Sequence, residues 1–193
     1  MLKMHQLPNL LTFLRLLLVP IIIFLIYTNE YYLLVISSVL FVLAILLDIF
    51  DGYIARKYNA ITKSGTVFDP IVDKILMLSV LFVFTEMHAF PMWICLLLLA
   101  REFFVTGIRQ LASDSGKILG NNRMGKFKFV FQIAIVLVNF YFLIERKDAL
   151  FGMSQNVWFN TLGVVNIFIA YVFAIIFMKK NIHFMKINDK SHS

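Results

Sequence analysis

The chain cannot make a disulfide within itself. Cys95 is its single cysteine and lies in an apolar run, so no intrachain bridge is possible. It also lacks internal repeats and low-complexity segments, and few stretches between its apolar blocks are long enough to form a separate domain. The form of a cleavable leader is missing too: the first apolar stretch is too long, contains Arg15, and is followed by no small-residue cleavage site. Charge is scarce, at 15% of residues. What remains is apolar, with 61% hydrophobic residues and a mean hydropathy of +0.85. A soluble domain is about half apolar. The excess lies in long blocks, which places the chain among membrane proteins.

Six segments approach the roughly 20 mainly apolar residues that a spanning helix needs. They are Asn9–Tyr27 with Pro20 inside it, Tyr31–Leu47 continuing as helix to Arg56, Pro70–Thr85, Pro91–Ala100 continuing toward Leu111, Phe127–Ile144, and Val157–Met178. The expected fold is therefore all-α: a polytopic membrane protein with six transmembrane helices. One domain covers residues 1–178, and a basic tail over 179–193 lies on the membrane surface or is disordered.

Lys and Arg set the expected orientation. Six spans and an internal N-terminus put Thr28–Glu30, Glu86–Phe90 and Glu145–Asn156 outside. Of the 18 Lys and Arg, those loops hold only Arg146 and Lys147. Both termini are expected in the cytoplasm. The asymmetry also accounts for most of the net charge of +7 without nucleic acid.

Four aspartates, Asp48, Asp51, Asp69 and Asp73, fall at the cytoplasmic ends of the second and third segments. Asp48 and Asp51 are three apart and share a helix face, as do Asp69 and Asp73, four apart. Gly52 and Ala55 lie near the face of Asp48 and leave room for a close approach. Carboxylates near hydrocarbon are costly, about 2.5–3.5 kcal/mol each at the bilayer centre and less at its edge. Cations that neutralise them would justify such a group. Oxygen-only ligands, with no His or Cys nearby, suit magnesium or manganese. A metal pair there can clamp a phosphate or pyrophosphate, and one carboxylate can instead act as a general base. Structural accounts also exist: Asp69 before Pro70 as a helix N-cap, and ion pairs with Arg56, Lys57 or Lys74. A cation path through the membrane is a further alternative, but no acidic residue continues it outward.

From Asp48 the chain reads DIFDGYIARKYNAITKSGTVFDPIVD. It fits D-x2-D-G-x2-A-R-x8-G-x3-D-x3-D at all eight fixed positions and resembles the signature of the CDP-alcohol phosphotransferase family. The resemblance implies six transmembrane helices, a homodimer, and displacement of CMP from a CDP-linked substrate by an acceptor hydroxyl, in a bacterial cell membrane. It implies Asp48, Asp51, Asp69 and Asp73 as ligands of Mg2+ or Mn2+, as two ions, with Asp73 also the catalytic base. Asn9, Thr12, Gly52, Ala55, Arg56 and Gly65 would line the nucleotide and pyrophosphate site. PNLLTFLR, with Asn9, Thr12 and Arg15, resembles the family's opening helix; helix polarity near an interface is an equal account of Thr12 and Arg15.

The stretch AREFFVTGIRQLASDSGK, then NNRMGKFK, resembles the phosphatidylglycerophosphate synthase branch. There CDP-diacylglycerol is the donor, glycerol 3-phosphate the acceptor, and anionic phospholipid the end. By that resemblance Arg101, Arg109 and Lys126 hold the acceptor phosphate, with Thr106 and Lys128 as weaker candidates; Arg is suited to bidentate contact. The branch commonly has Thr after the second Lys, where this chain has Phe129. Inositol phosphate, serine or phosphatidylglycerol are the alternative acceptors.

Overall fold

The computed structural model describes residues 7–57, 63–114, 123–146, 149–150 and 153–188. Side chains are described over 11–50, 71–72, 74–109, 127–146, 154 and 157–179. The described residues form six helices: α1 (Leu7–Tyr27), α2 (Tyr31–Lys57), α3 (Lys63–Glu86), α4 (Met92–Asp114), α5 (Arg123–Glu145) and α6 (Gln155–Asn188). A two-residue antiparallel ladder, β1 (Ala149–Leu150) with β2 (Met153–Ser154), lies in the connection between α5 and α6.

The surface explains why these helices do not belong in water. Large apolar side chains face outward all round, among them Phe24, Tyr32, Phe103 and Phe168, each more than two-thirds exposed. A water-soluble bundle would turn such residues inward. In a bilayer they meet lipid, while each helix satisfies its own backbone. Three segments are long and apolar enough to cross a membrane: Tyr31–Phe50, Phe127–Glu145 and Val157–Lys179, with mean hydropathies of 2.8, 2.1 and 2.4. At 1.5 Å per residue, about 20 residues match the ~30 Å hydrocarbon layer. Leu11–Tyr27 is a shorter apolar helix. The protein is a membrane protein.

Helix α1 packs against both α2 and α3. Helix α5 packs on α2, α3 and α6, and α4 bridges α3 and α6. Phe140 of α5 stands between Phe41 of α2, at 6.0 Å between ring centroids, and Phe84 of α3, at 5.1 Å and nearly perpendicular. Phe142 meets Phe159 of α6 edge-on at 5.2 Å. These geometries are the favourable ones for aromatic pairs. Within α1, Pro20 removes one backbone donor from the helix interior.

Three helices end at one side of the bundle in left-handed residues: Asn29 after α1, His88 after α3 and Arg146 after α5. This conformation closes a helix by letting the chain turn back and pair its last carbonyls. Arg146 Nη2 also donates to Asn29 O at 3.2 Å, tying two of the turns together. The opposite side carries the C-terminal ends of α2, α4 and α6 and the N-terminal ends of α3 and α5.

The structure departs from the expected elements in three places. Helix α3 begins at Lys63, so Asp69 and Pro70 lie inside it and not at its start; the N-cap account of Asp69 fails. Helix α6 runs to Asn188, so residues 179–188 of the expected tail are helical. The ladder between α5 and α6 was not anticipated. Hydropathy marks where a segment stops being apolar, whereas a helix continues as long as its backbone pairs. Polar stretches such as Lys63–Asp69 therefore extend the helices beyond their apolar parts.

Candidate active site

Every residue assigned by the sequence to chemistry lies toward one side of the bundle, opposite the left-handed turns. Because α2 stays helical through Lys57, Asp48, Asp51, Gly52 and Ala55 fall on one stretch of one helix at offsets of three, four and seven. On α3, Gly65, Asp69 and Asp73 follow one another every four residues and share a face. Helix α1, which carries Asn9, Thr12 and Arg15, packs against both carboxylate-bearing helices. The side chains of Asn9, Asp51, Gly52, Ala55, Arg56, Gly65, Asp69, Asp73 and Lys126 lie outside the described residues.

Asp48 is described, and its partner is Arg15, for which the opening-helix resemblance and interface polarity were equal accounts. Arg15 Nη1 donates to Asp48 Oδ1 at 2.6 Å. The Arg15 side chain is 1% exposed and that of Asp48 24%. Thr12, one turn before Arg15, is also buried. A guanidinium buried to that degree is costly unless paired, so Arg15 belongs to the carboxylate group and not to a lipid-facing edge. The signals in the sequence were its place inside an apolar segment and the opening-helix resemblance of PNLLTFLR.

The donor set fits a hard divalent cation. The four carboxylates are oxygen donors on two helices that both pack against α1, with no imidazole or thiol among them, and Arg15 supplies one positive charge beside Asp48.

A second polar cluster joins α3, α4, α5 and α6. Glu102 Oε1 accepts from Arg101 Nη1 at 3.0 Å and is ion-paired with Lys128 of α5. Arg101 Nε donates to Ala170 O of α6 at 3.0 Å. Thr106 Oγ1 donates to Glu102 O at 2.7 Å and accepts from Lys74 Nζ of α3. The structure thus brings Arg101, Thr106 and Lys128 together. Arg109 stands apart from these bonds, its guanidinium over the ring of Phe177 at 5.3 Å from the centroid. Phe129, in the position where Thr was expected, packs against the main apolar core.

This is the architecture of a helical membrane protein with the carboxylate-bearing helix stretches and a cluster of buried cations toward one side of its bundle. The chain belongs to the CDP-alcohol phosphatidyltransferase family, whose pattern it matches over residues 5–176. It is 42% identical to the CDP-diacylglycerol–glycerol-3-phosphate 3-phosphatidyltransferase of Rickettsia typhi over 130 residues, 67% of this chain and 73% of that one. The proteins of the same name from Bacillus subtilis and Salmonella choleraesuis are also similar. The first is 36% identical over 52% of each chain; the second is 28% identical over 86% of this chain and 87% of the other.

Proposed function

We propose that this protein transfers the phosphatidyl group of CDP-diacylglycerol to glycerol 3-phosphate, giving phosphatidylglycerophosphate and CMP. The observation that carries the proposal is the complete eight-position signature on α2 and α3, in a chain similar to relatives that bear that activity's name. The six helices all cross the membrane, with both termini and the site in the cytoplasm of a bacterial cell and the protein a homodimer.

Asp48, Asp51, Asp69 and Asp73 would hold magnesium or manganese, as two ions, and these would neutralise the pyrophosphate and the departing CMP. Asn9, Thr12, Gly52, Ala55, Arg56 and Gly65 receive the nucleotide and pyrophosphate. Gly52 and Ala55 admit the donor close to the α2 backbone. The acyl chains stay in the bilayer through a gap between helices. Arg101, Arg109, Lys126 and Lys128, with Thr106, receive the acceptor's phosphate and bring its primary hydroxyl to the lipid-side phosphorus. Asp73 takes the hydroxyl proton as the oxygen attacks. The new P–O bond forms on the lipid-side phosphorus, the bond to the cytidylyl phosphate breaks, and CMP leaves with the electron pair.

The test is purified protein with CDP-diacylglycerol and Mg2+ or Mn2+, run against a panel of acceptors. CMP release with glycerol 3-phosphate is expected. No release with it would overturn the assignment, and release with inositol phosphate, serine or phosphatidylglycerol instead would reassign the acceptor.

A further inference from the structure

Glu102 is a half-buried carboxylate that the scheme above leaves unused. Its side chain is 14% exposed, and those of Arg101 and Lys128 are 8% and 7% exposed. Both cations meet the same oxygen, Oε1. Arg101 comes from the same helix, α4, and Lys128 from α5, so the carboxylate fixes the distance between two cations on different helices. Its own backbone is held as well: Glu102 O accepts from Thr106 Oγ1, which in turn accepts from Lys74 Nζ of α3. Arg101 is braced a second time by the bond from its Nε to Ala170 O of α6.

Two cations sharing one carboxylate leave a positive charge in excess within a buried cluster. That arrangement suits an incoming anion. Without the carboxylate, the two would repel each other at close range in a poor solvent for charge. With it, Arg101 spends one donor on Glu102 and a second on Ala170 O, and Lys128 spends one on Glu102, out of five N–H donors on a guanidinium and three on an ammonium. Long, flexible Lys and Arg side chains otherwise lose much freedom when they grip a ligand, and a fixed starting geometry removes that cost in advance.

Resting on the acceptor assignment above, we propose that Glu102 is a positioning residue for acceptor binding. It holds Arg101 and Lys128 side by side in the spacing that a phosphate monoester needs.

The test compares wild type, Glu102→Gln and Glu102→Asp by CMP release, with the KM of each substrate and kcat measured separately. Glu102→Gln is expected to raise the KM for glycerol 3-phosphate roughly 10- to 100-fold, the loss of a hydrogen bond to a charged group. The KM for CDP-diacylglycerol is expected to stay within about twofold. Glu102→Asp keeps the charge on a shorter side chain and is expected to raise the acceptor KM only severalfold. An acceptor KM that is unchanged or lower in Glu102→Gln overturns the proposal, and so does a parallel rise in both KM values. If Glu102→Gln does not fold, Glu102→Asp decides alone: a severalfold rise confined to the acceptor supports the proposal, and no rise or a shared rise overturns it. Wild type run alongside separates the two levels. No CMP release with glycerol 3-phosphate from wild type overturns the proposed function itself, whereas an active wild type with an unaltered Glu102→Gln overturns this inference alone.

Discussion

At the scale of single residues, charge burial decides which side chains matter. Arg15 is almost completely enclosed and is bonded to Asp48, and the pairing joins the opening helix to the carboxylate-bearing one. Partners that orient metal ligands typically contribute 10–100-fold in metal affinity or activity. Arg15→Met is therefore expected to weaken Mn2+ binding by roughly that factor, followed directly by electron paramagnetic resonance of the free ion. Unchanged Mn2+ binding would reduce the pair to a structural tie. Asp73 carries a separate prediction. Asp73→Asn keeps the shape and removes the proposed base, so the rate of CMP release is expected to fall about 100- to 10,000-fold. Retained activity would remove the proton-transfer role. The aspartates were legible from spacing alone, because three- and four-residue offsets fix a shared helix face without any tertiary information. Arg15 was not, because a single cation in an apolar segment fits either a membrane edge or a buried pair, and only a contact between α1 and α2 distinguishes them.

At the scale of elements, the helices were found from hydropathy, but their ends were not. Helices α3 and α6 both outrun their apolar parts, since backbone pairing does not require apolar side chains. How closely two helices approach depends on small residues at the crossing. Gly163 of α6 is such a place: a Cβ there would run into the Ile94 side chain of α4 and sit 3.2 Å from Phe90 Cζ. Gly163→Val is expected to cost about 1–3 kcal/mol through overpacking, read as a lower Tm in detergent. Since the crossing touches no proposed site residue, CMP release per folded molecule is expected to persist. An unchanged Tm would show that α4 and α6 can separate freely.

At the scale of the whole molecule, the distribution of Lys and Arg makes a topological prediction. His88 lies in the turn after α3, and Lys179 lies near the end of the apolar part of α6. Cys95 is fully buried, and replacing it with Ala leaves a clean background for labelling. In that background His88→Cys is expected to react with a membrane-impermeant maleimide on intact cells. Lys179→Cys is expected to react only after permeabilisation. The reverse pattern would invert the orientation drawn from charge.

The sequence by itself determined the class, the helices and the carboxylate signature. All three are local or periodic properties: apolar blocks of bilayer length, helical offsets, and fixed spacings along one chain. Only the tertiary structure decided which charges meet. Arg15 and Asp48 are 33 residues apart, and Arg101 reaches a carbonyl 69 residues away. No spacing rule encodes such pairs, because they arise from how helices pack and from the need of a buried charge for a partner. The same requirement took Arg101 and Lys128 from two separate basic stretches and set them on one carboxylate, Glu102.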